Sequence, residues 1–359
     1  MTAGRAAARK RIDAIGAAEP DARALRQAAL DVIGGVVDFD AYVWLLTDPV
    51  STVGTAPLAD SPCLSELPAL IRSKYATPVN RWTTLLKRPS PVALLATEVG
   101  NDLSRSRVWR EVMSRYAIGD VASVVFADQF GCWSFLDLWR TDARAPFGPA
   151  DAQFLGDVAP SLTTSIRTSQ ARTFVAPAAA RRQLPGPVVL TLDDRLMITS
   201  RTAASQEWLD VLLPPRPDER GIPASVYNVA AQLLAAEMGV DDHPAFTRTH
   251  LADGLWLTLR AGRLAGPDGS SIVVTLEEAS APERLELFGR AFGLTGREAE
   301  LVRLLAVGSD TRAMARSMSI SEHTVQDHLK AVFGKTGAHD RITVLSRALG
   351  TRAAPAPGR

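Results

Sequence analysis

The sequence predicts two α+β domains followed by an all-α unit of four short helices. Three observations carry this. Apolar residues recur at helical spacing over Leu294–Leu349, behind three capping residues and then from a helix start near Asp340. Before that, short apolar runs broken by turn residues alternate with helical stretches, once over 21–174 and again over 187–280. A stretch with three alanines and two arginines between Pro177 and Gln183 separates the two. The division expected is a mobile lead over 1–20, a first domain over 21–174, a linker over 175–186 and a second domain over 187–280. A connecting helix over 281–293, the helical unit over 294–350 and a disordered tail over 351–359 complete it. With 46% hydrophobic and 22% charged residues, the chain has enough apolar matter for buried cores in two or three domains.

The first domain opens on an amphipathic helix, Asp21 to Val37, with Leu25, Ala28, Ala29 and Ile33 on one face. Ala41 to Leu46 reads as a strand, Asp48-Pro49 as a turn and Thr52 to Ala56 as a return. Leu64 to Tyr75 reads as helix, Val92 to Thr97 as a short strand and Arg105 to Tyr116 as helix. Val121–Ala127 and Trp133–Trp139 form a hairpin around Asp128–Gly131, and a long helix runs from Phe147 to about Gln170. In the second domain, strands are expected at Val188–Leu192 and Leu196–Thr199, then a helix Ala203–Leu212 bearing Trp208 and a break at Pro214–Pro217. A helix Ser225–Met238 follows, then strands Arg248–Leu251, Leu255–Arg260 and Ile272–Glu277, with turns at Ala252–Gly254 and Gly266–Gly269. Glu283 to Phe292 is the connecting helix.

In the C-terminal unit, Thr295 to Glu298 is a capping box. Leu294, Glu298, Leu301, Val302 and Leu305 share one side of the helix it starts, which Gly308 ends. Asp310 caps a second helix with Met314, Ala315 and Met318 inward. Ser319-Ile320-Ser321 is a tight turn, and Ser321 caps a third helix to about Lys335. There Val325, Leu329, Val332 and Phe333 face the core, while His323, Asp327, Lys330 and Gly334 project oppositely, flanked by Thr324 and Gln326. Short helix, tight turn and second helix with a polar outer face make a helix-turn-helix. A last helix from Asp340 carries Ile342, Val344, Leu345, Ala348 and Leu349.

This stretch resembles the LuxR/GerE-type helix-turn-helix domain of bacterial transcription regulators. The matching residues are Leu294, Thr295, Arg297, Glu298, Leu304, Leu305, Ala306, Gly308, Ala315, Ile320, Ser321, Thr324, Val325, His328, Leu329, Phe333, Lys335, Gly337 and Arg341. The resemblance implies that Glu322–Lys335 is the recognition helix, with Gln326, Asp327 and Lys330 facing bases. Gln suits adenine, Lys guanine, and a carboxylate accepts from cytosine N4. Thr311, Arg312, Ser321, Thr324, Lys335 and Arg341 are the implied phosphate or positioning residues. Asp327 departs from the pattern, because an acid is repelled by phosphate unless it reads a base. Ala313 departs where the family often has Glu. The family pairs two copies through its last helix, so Ile342, Leu345 and Leu349 are the expected dimerisation residues, with packing inside the same chain as the alternative. Double-stranded DNA, a second copy and RNA polymerase are the partners implied. The order of elements in the first domain resembles a GAF-type sensor, and that of the second a PAS-type fold. A rigid connecting helix would transmit a sensor rearrangement to paired recognition helices.

Charge agrees with this division. Residues 288–359 hold eleven Lys and Arg against six Asp and Glu, a net +5 in a chain of net +1. A basic end on an acidic body suits a DNA-binding end with a different role for the rest.

For the sensed signal the residues mainly exclude. None of the five histidines precedes His243, so the first domain has no imidazole for haem. His243 and His250 read as solvated. No cysteine follows Cys132, which rules out a flavin–cysteine adduct in the second domain. Cys63 and Cys132, read as a loop and a semi-buried residue, are too few for a disulfide scaffold and without histidines make no zinc site. Trp44, Trp82, Trp109, Trp133, Phe135 and Trp139 either line an apolar pocket or form core.

The Trp/Tyr/Asp pattern of acyl-homoserine-lactone sensors is not placed here. Gly334-Lys335-Thr336 is not a phosphate loop, since Leu329 stands where its first Gly belongs. No βαβ repeat of a phospho-receiver occurs. No run reaches the roughly 18 apolar residues of a membrane span, and the N-terminus lacks a signal-peptide core, which points to the cytoplasm.

The function expected is a sequence-specific, non-enzymatic transcription regulator. It would bind a palindromic site as a dimer, without a cofactor and with a small-molecule effector left open. The alternative is an enzyme or ligand-binding protein over 1–280 with an accessory nucleic-acid-binding end.

Overall fold

The computed structural model describes residues 2–18, 21–175, 188–203, 205, 224–251, 255–266 and 269–350. Most of the expected linker, the helix bearing Trp208, the Pro214–Pro217 break, the Ala252–Gly254 turn and the tail lie outside them. The chain divides into two compact units. One comprises Met1–Ile166, Leu184–Thr249 and Leu257–Glu277; the other comprises Arg167–Gln183, His250–Trp256 and Glu278–Arg359.

The larger unit begins with α1 (Thr2–Ala18). It covers most of the expected lead. Ala8 and Ile12, one helical turn apart, are buried, while Arg9, Lys10 and Arg11 stay exposed. Arg5 also donates to the Ala150 carbonyl at 2.7 Å. Asp21 caps α2 (Ala22–Gly34) by accepting from the amides of Arg23 and Ala24 at 2.8 and 2.9 Å.

There follow β1 (Ala41–Thr47), β2 (Gly54–Asp60), α3 (Leu67–Tyr75), α4 (Trp82–Leu85), β3 (Val92–Leu94), α5 (Leu95–Glu98), α6 (Arg107–Glu111), β4 (Ile118–Asp128), β5 (Gly131–Thr141) and α7 (Pro149–Arg172). The strands form a five-stranded sheet in the order β2-β1-β5-β4-β3, with antiparallel pairs. Two expectations are revised here. The strand expected over Val92–Thr97 stops at Leu94, because the buried Asp120 carboxylate takes the Ala96 amide at 2.8 Å and turns the chain into α5. The helix expected over Arg105–Tyr116 breaks at Val112 (φ −134°, ψ −61°). It resumes as a 3₁₀ turn, after which Ala117 at φ 52° redirects the chain into β4.

Of the six aromatic residues singled out, Trp109 is half-buried. Trp44, Trp82, Trp133, Trp139 and Phe135 are all buried. Trp82 stacks on Phe135 at 4.5 Å, and Trp44 on Phe126 at 5.3 Å. Cys63 lies in a turn, as expected, but is buried there, and Cys132 in β5 is buried rather than semi-buried; burial pushes each thiol up to about 11.

The second sheet, β7-β6-β10-β9-β8, is built from β6 (Val188–Leu192), β7 (Ile198–Arg201), β8 (Phe246–His250), β9 (Trp256–Gly266) and β10 (Gly269–Glu278). Its helix α8 (Ala224–Glu237) is buried from Ala224 to Gln232. An all-round buried helix needs partners on every side, and α8 finds them in α3 and β2 of the first domain. Asn228 donates to the Gly54 carbonyl at 2.9 Å, and Ser225 bonds Thr55 at 3.1 Å.

The smaller unit holds α9 (Ala281–Ala291), α10 (Gly296–Ala306), α11 (Thr311–Met318), α12 (Glu322–Thr336) and α13 (Arg341–Leu349). No helix among the described residues is long and apolar enough to cross a membrane.

Candidate nucleic-acid interface

Every helix of the C-terminal domain starts on a side chain that satisfies an orphan amide. Thr295 Oγ1 accepts from the Glu298 amide at 3.3 Å, and Glu298 Oε2 accepts from the Thr295 amide at 2.7 Å. Asp310 accepts from Ala313 at 2.7 Å, Ser321 from Thr324 at 3.0 Å and Asp340 from Thr343 at 2.7 Å. Ser319 adopts the left-handed conformation (φ 53°) that joins α11 to α12. Ile320 beside it is half-buried rather than a full plug.

The core joins Leu301, Val302 and Leu305 of α10, Met314 and Met318 of α11, Val325, Leu329 and Val332 of α12, and Val344 and Ala348 of α13, all buried. Phe333, expected inward, is half-buried. With one face of α12 consumed by this core, the other presents Gln326, Asp327 and Lys330, all exposed. Asp327 sits between His323 and Lys330 on that face. His323 Nε2 lies 3.7 Å and Lys330 Nζ 3.8 Å from its carboxylate oxygens. This is the helical i, i+4 and i, i+3 neighbourhood, so the His323 pairing was readable from spacing, though sequence reasoning did not use it.

The residues assigned to phosphate divide into two kinds. Arg312 is exposed, and Ser321 and Thr324 meet at the head of α12, where their hydroxyls lie 2.9 Å apart. A helix N-terminus flanked by hydroxyls suits an anion. Arg341 and Thr311 are brought together, Nη2 to Oγ1 at 2.9 Å. Lys335 is engaged within the domain, with Nζ at 2.7 Å from Glu298 Oε2 and 3.1 Å from the Gly293 carbonyl. Burial alone would raise the Glu298 carboxyl, but the hydrogen bonds from Lys335 and the Thr295 amide hold it below its ordinary value. The 37-residue separation of this pair leaves no local pattern by which to find it.

On α13, Ile342 is 66% exposed, Leu345 and Leu349 are half-buried, and Val344 and Ala348 face the core. Arg347 ties α13 to the end of α12, donating to the Thr336 carbonyl at 2.7 Å.

Elsewhere, Asp241, Asp242 and His243 bring ligand-type atoms within 4.8 Å of one another. Asp241 is taken, however, by Arg81 Nη2 at 2.6 Å and His243 Nδ1 at 2.6 Å. Burial opposes its charge, but the bonds from His243 and Arg81 prevail and hold the carboxyl far below the usual range. The group is an ion-pair network rather than a metal cage.

Residues 293–348 match the family model described as bacterial regulatory proteins, luxR family. The transcriptional regulatory protein DesR of Bacillus subtilis is 35% identical over 68 residues, which are 19% of this chain and 34% of DesR. The chain thus spans about a third of the length of that curated relative. Among solved structures, Escherichia coli SdiA is similar over 91% of this chain and 90% of its own, at 12% identity and a TM-score of 0.32. VqmA of Vibrio cholerae, solved with ligand and DNA, is similar over 47% of this chain and 83% of its own, at 21% identity and a TM-score of 0.20. At these scores neither superposition assigns the two sheet domains to a fold family. The C-terminal domain is a LuxR-type helix-turn-helix DNA-binding domain.

Proposed function

We propose that the protein is a sequence-specific transcription regulator that binds a palindromic DNA site as a dimer, and that its two sheet domains, GAF-like and PAS-like in element order, receive the modulating signal. One observation carries the reading. Gln326, Asp327 and Lys330 stand exposed on one face of α12 while its opposite face is locked into a capped helical core. A helix presented this way enters a major groove with a glutamine for adenine, a carboxylate for cytosine N4 and a lysine for guanine. Arg312 and the Ser321–Thr324 head of α12 set its register on phosphate, and Arg341, oriented by Thr311, adds positive charge beside them. The exposed Ile342, with Leu345 and Leu349, supplies the pairing surface. RNA polymerase is the further partner such a regulator would meet.

The test is binding of a duplex selected by the wild-type protein. Gln326→Ala with Lys330→Ala is expected to lose roughly 1–3 kcal/mol per bidentate contact and to relax preference at the bases read. Equal affinity of the double variant for that duplex removes the assignment of α12 as the recognition helix.

A further inference from the structure

In the smaller unit, arginines close the ends of two helices in series. Arg167, in the last turns of α7, donates to the carbonyl of Ala291, the final residue of α9, at 3.2 Å. Arg284, in the first half of α9, donates from Nε to the Ala348 carbonyl at 3.2 Å and from Nη2 to the Arg347 carbonyl at 3.4 Å, in the last turn of α13. A helix C-terminus carries unsatisfied carbonyls and partial negative charge, so a guanidinium there both hydrogen-bonds and complements the dipole.

Arg284 is 4% exposed, and its guanidinium carbon lies 5.5 Å from the centroid of the Phe174 ring, which is 3% exposed. Phe174 stacks on Trp256 at 5.4 Å and meets Phe288 edge-on at 5.5 Å. The guanidinium also lies beside Gly350, where an added Cβ would come within 2.8 Å of it; Gly350 is at φ 69° and ends α13. The planar cation thus meets both an aromatic ring and the end of α13. Both planarity and charge are used, which lysine does not reproduce.

We propose that Arg284 is a latch through which the placement of Phe174 sets the order of the last turn of α13, and with it the pairing of two copies. The regulatory half rests on the reading that α13 pairs copies, because Leu345 and Leu349 form an apolar face only while that turn is helical. The segment after α7 carries Phe174, so whatever moves that segment loosens or tightens the latch. The latch works through the end of α13, which Arg347 also ties to the end of α12.

Hydrogen exchange on the full-length protein tests this without DNA. Phe174→Leu removes the ring face and keeps an apolar side chain; Arg284→Lys keeps the charge and loses the planar fork. Each is expected to speed exchange of the amides of residues 345–350 roughly fivefold, well beyond any change in α10 to α12, and raise the dimer dissociation constant. Unchanged exchange at 345–350 in both variants overturns the latch. So does an equal rise across 294–350, which would make Phe174 and Arg284 ordinary core residues. A wild-type protein that stays monomeric at all concentrations overturns the pairing half. The two failures are distinguished because the exchange signature is read on the protein alone.

Discussion

Arg248 and Asp48 lie 200 residues apart in sequence and meet as a buried bidentate pair, Nε to Oδ2 at 2.6 Å and Nη2 to Oδ1 at 3.0 Å. Asp48 also accepts from the amides of Val50, Ser51 and Arg248. Arg81–Asp241 is a further buried ion pair joining the β8 region to the first sheet domain.

Removing one partner leaves the other charge buried, a loss of about 3–5 kcal/mol. Asp48→Ala should therefore lower the denaturant midpoint reported by tryptophan fluorescence. Adding Arg248→Met should recover part of that loss. If the double variant is as unstable as the sum of two independent losses, the pair is not coupled.

Gly131 opens β5 at φ 142°, and a Cβ there would run into the Pro49 carbonyl of the loop that Asp48 organises. Gly131→Ala is expected to cost about 1–3 kcal/mol by strain at that backbone angle and displacement of the loop. Thermal unfolding compared with Gly148→Ala, where a Cβ meets nothing within 4 Å, separates strain from loss of glycine as such.

The Glu298–Lys335 clamp should make the helical domain acid-sensitive. The folded carboxyl is held below the ordinary glutamate value, at which the unfolded one titrates. Its contribution is therefore complete above that value and disappears as pH falls through the lower folded one. Glu298→Gln should cost about 1–3 kcal/mol at neutral pH, the worth of a charged hydrogen bond. It should also flatten the loss of stability on acidification, followed by circular dichroism. A variant with the wild-type acid profile would assign the sensitivity to another carboxyl.

Ser321 has two assigned tasks that substitution can separate. Ser321→Ala removes the cap of α12 and should cost about 1 kcal/mol of stability. Ser321→Asp keeps a capping oxygen and should fold as well as the wild type, yet weaken duplex binding by placing an anion where phosphate approaches. Wild-type affinity in Ser321→Asp, measured by fluorescence anisotropy, would move the phosphate contact away from the head of α12.

How much was legible depends on the range over which each contact acts. The capping residues Thr295, Asp310, Ser321 and Asp340 act within three residues of themselves, and all were readable. So were the apolar stripe of α12 and the outward placement of Gln326, Asp327 and Lys330, because helical period alone assigns those faces. Strand ends were less readable. Val92–Leu94 stops where it does because Asp120, 24 residues from Ala96, takes its amide. The ordering of α1 depends on surfaces for Ala8 and Ile12 that local propensity does not contain.

The sequence by itself determined the four capped helices, their inward and outward faces, and the two sheet-bearing stretches before them, since period, caps and turn residues are local properties of the chain. Only the tertiary structure decided that Asp48 and Asp241 are buried partners of Arg248 and Arg81, that Lys335 closes on Glu298, and that Arg284 ends α13 against Phe174. The buried charges among them are stable in a dry environment only where a distant segment supplies a counter-charge, carbonyl or ring face. Which segment arrives is settled by packing of the whole chain rather than by the residues alongside.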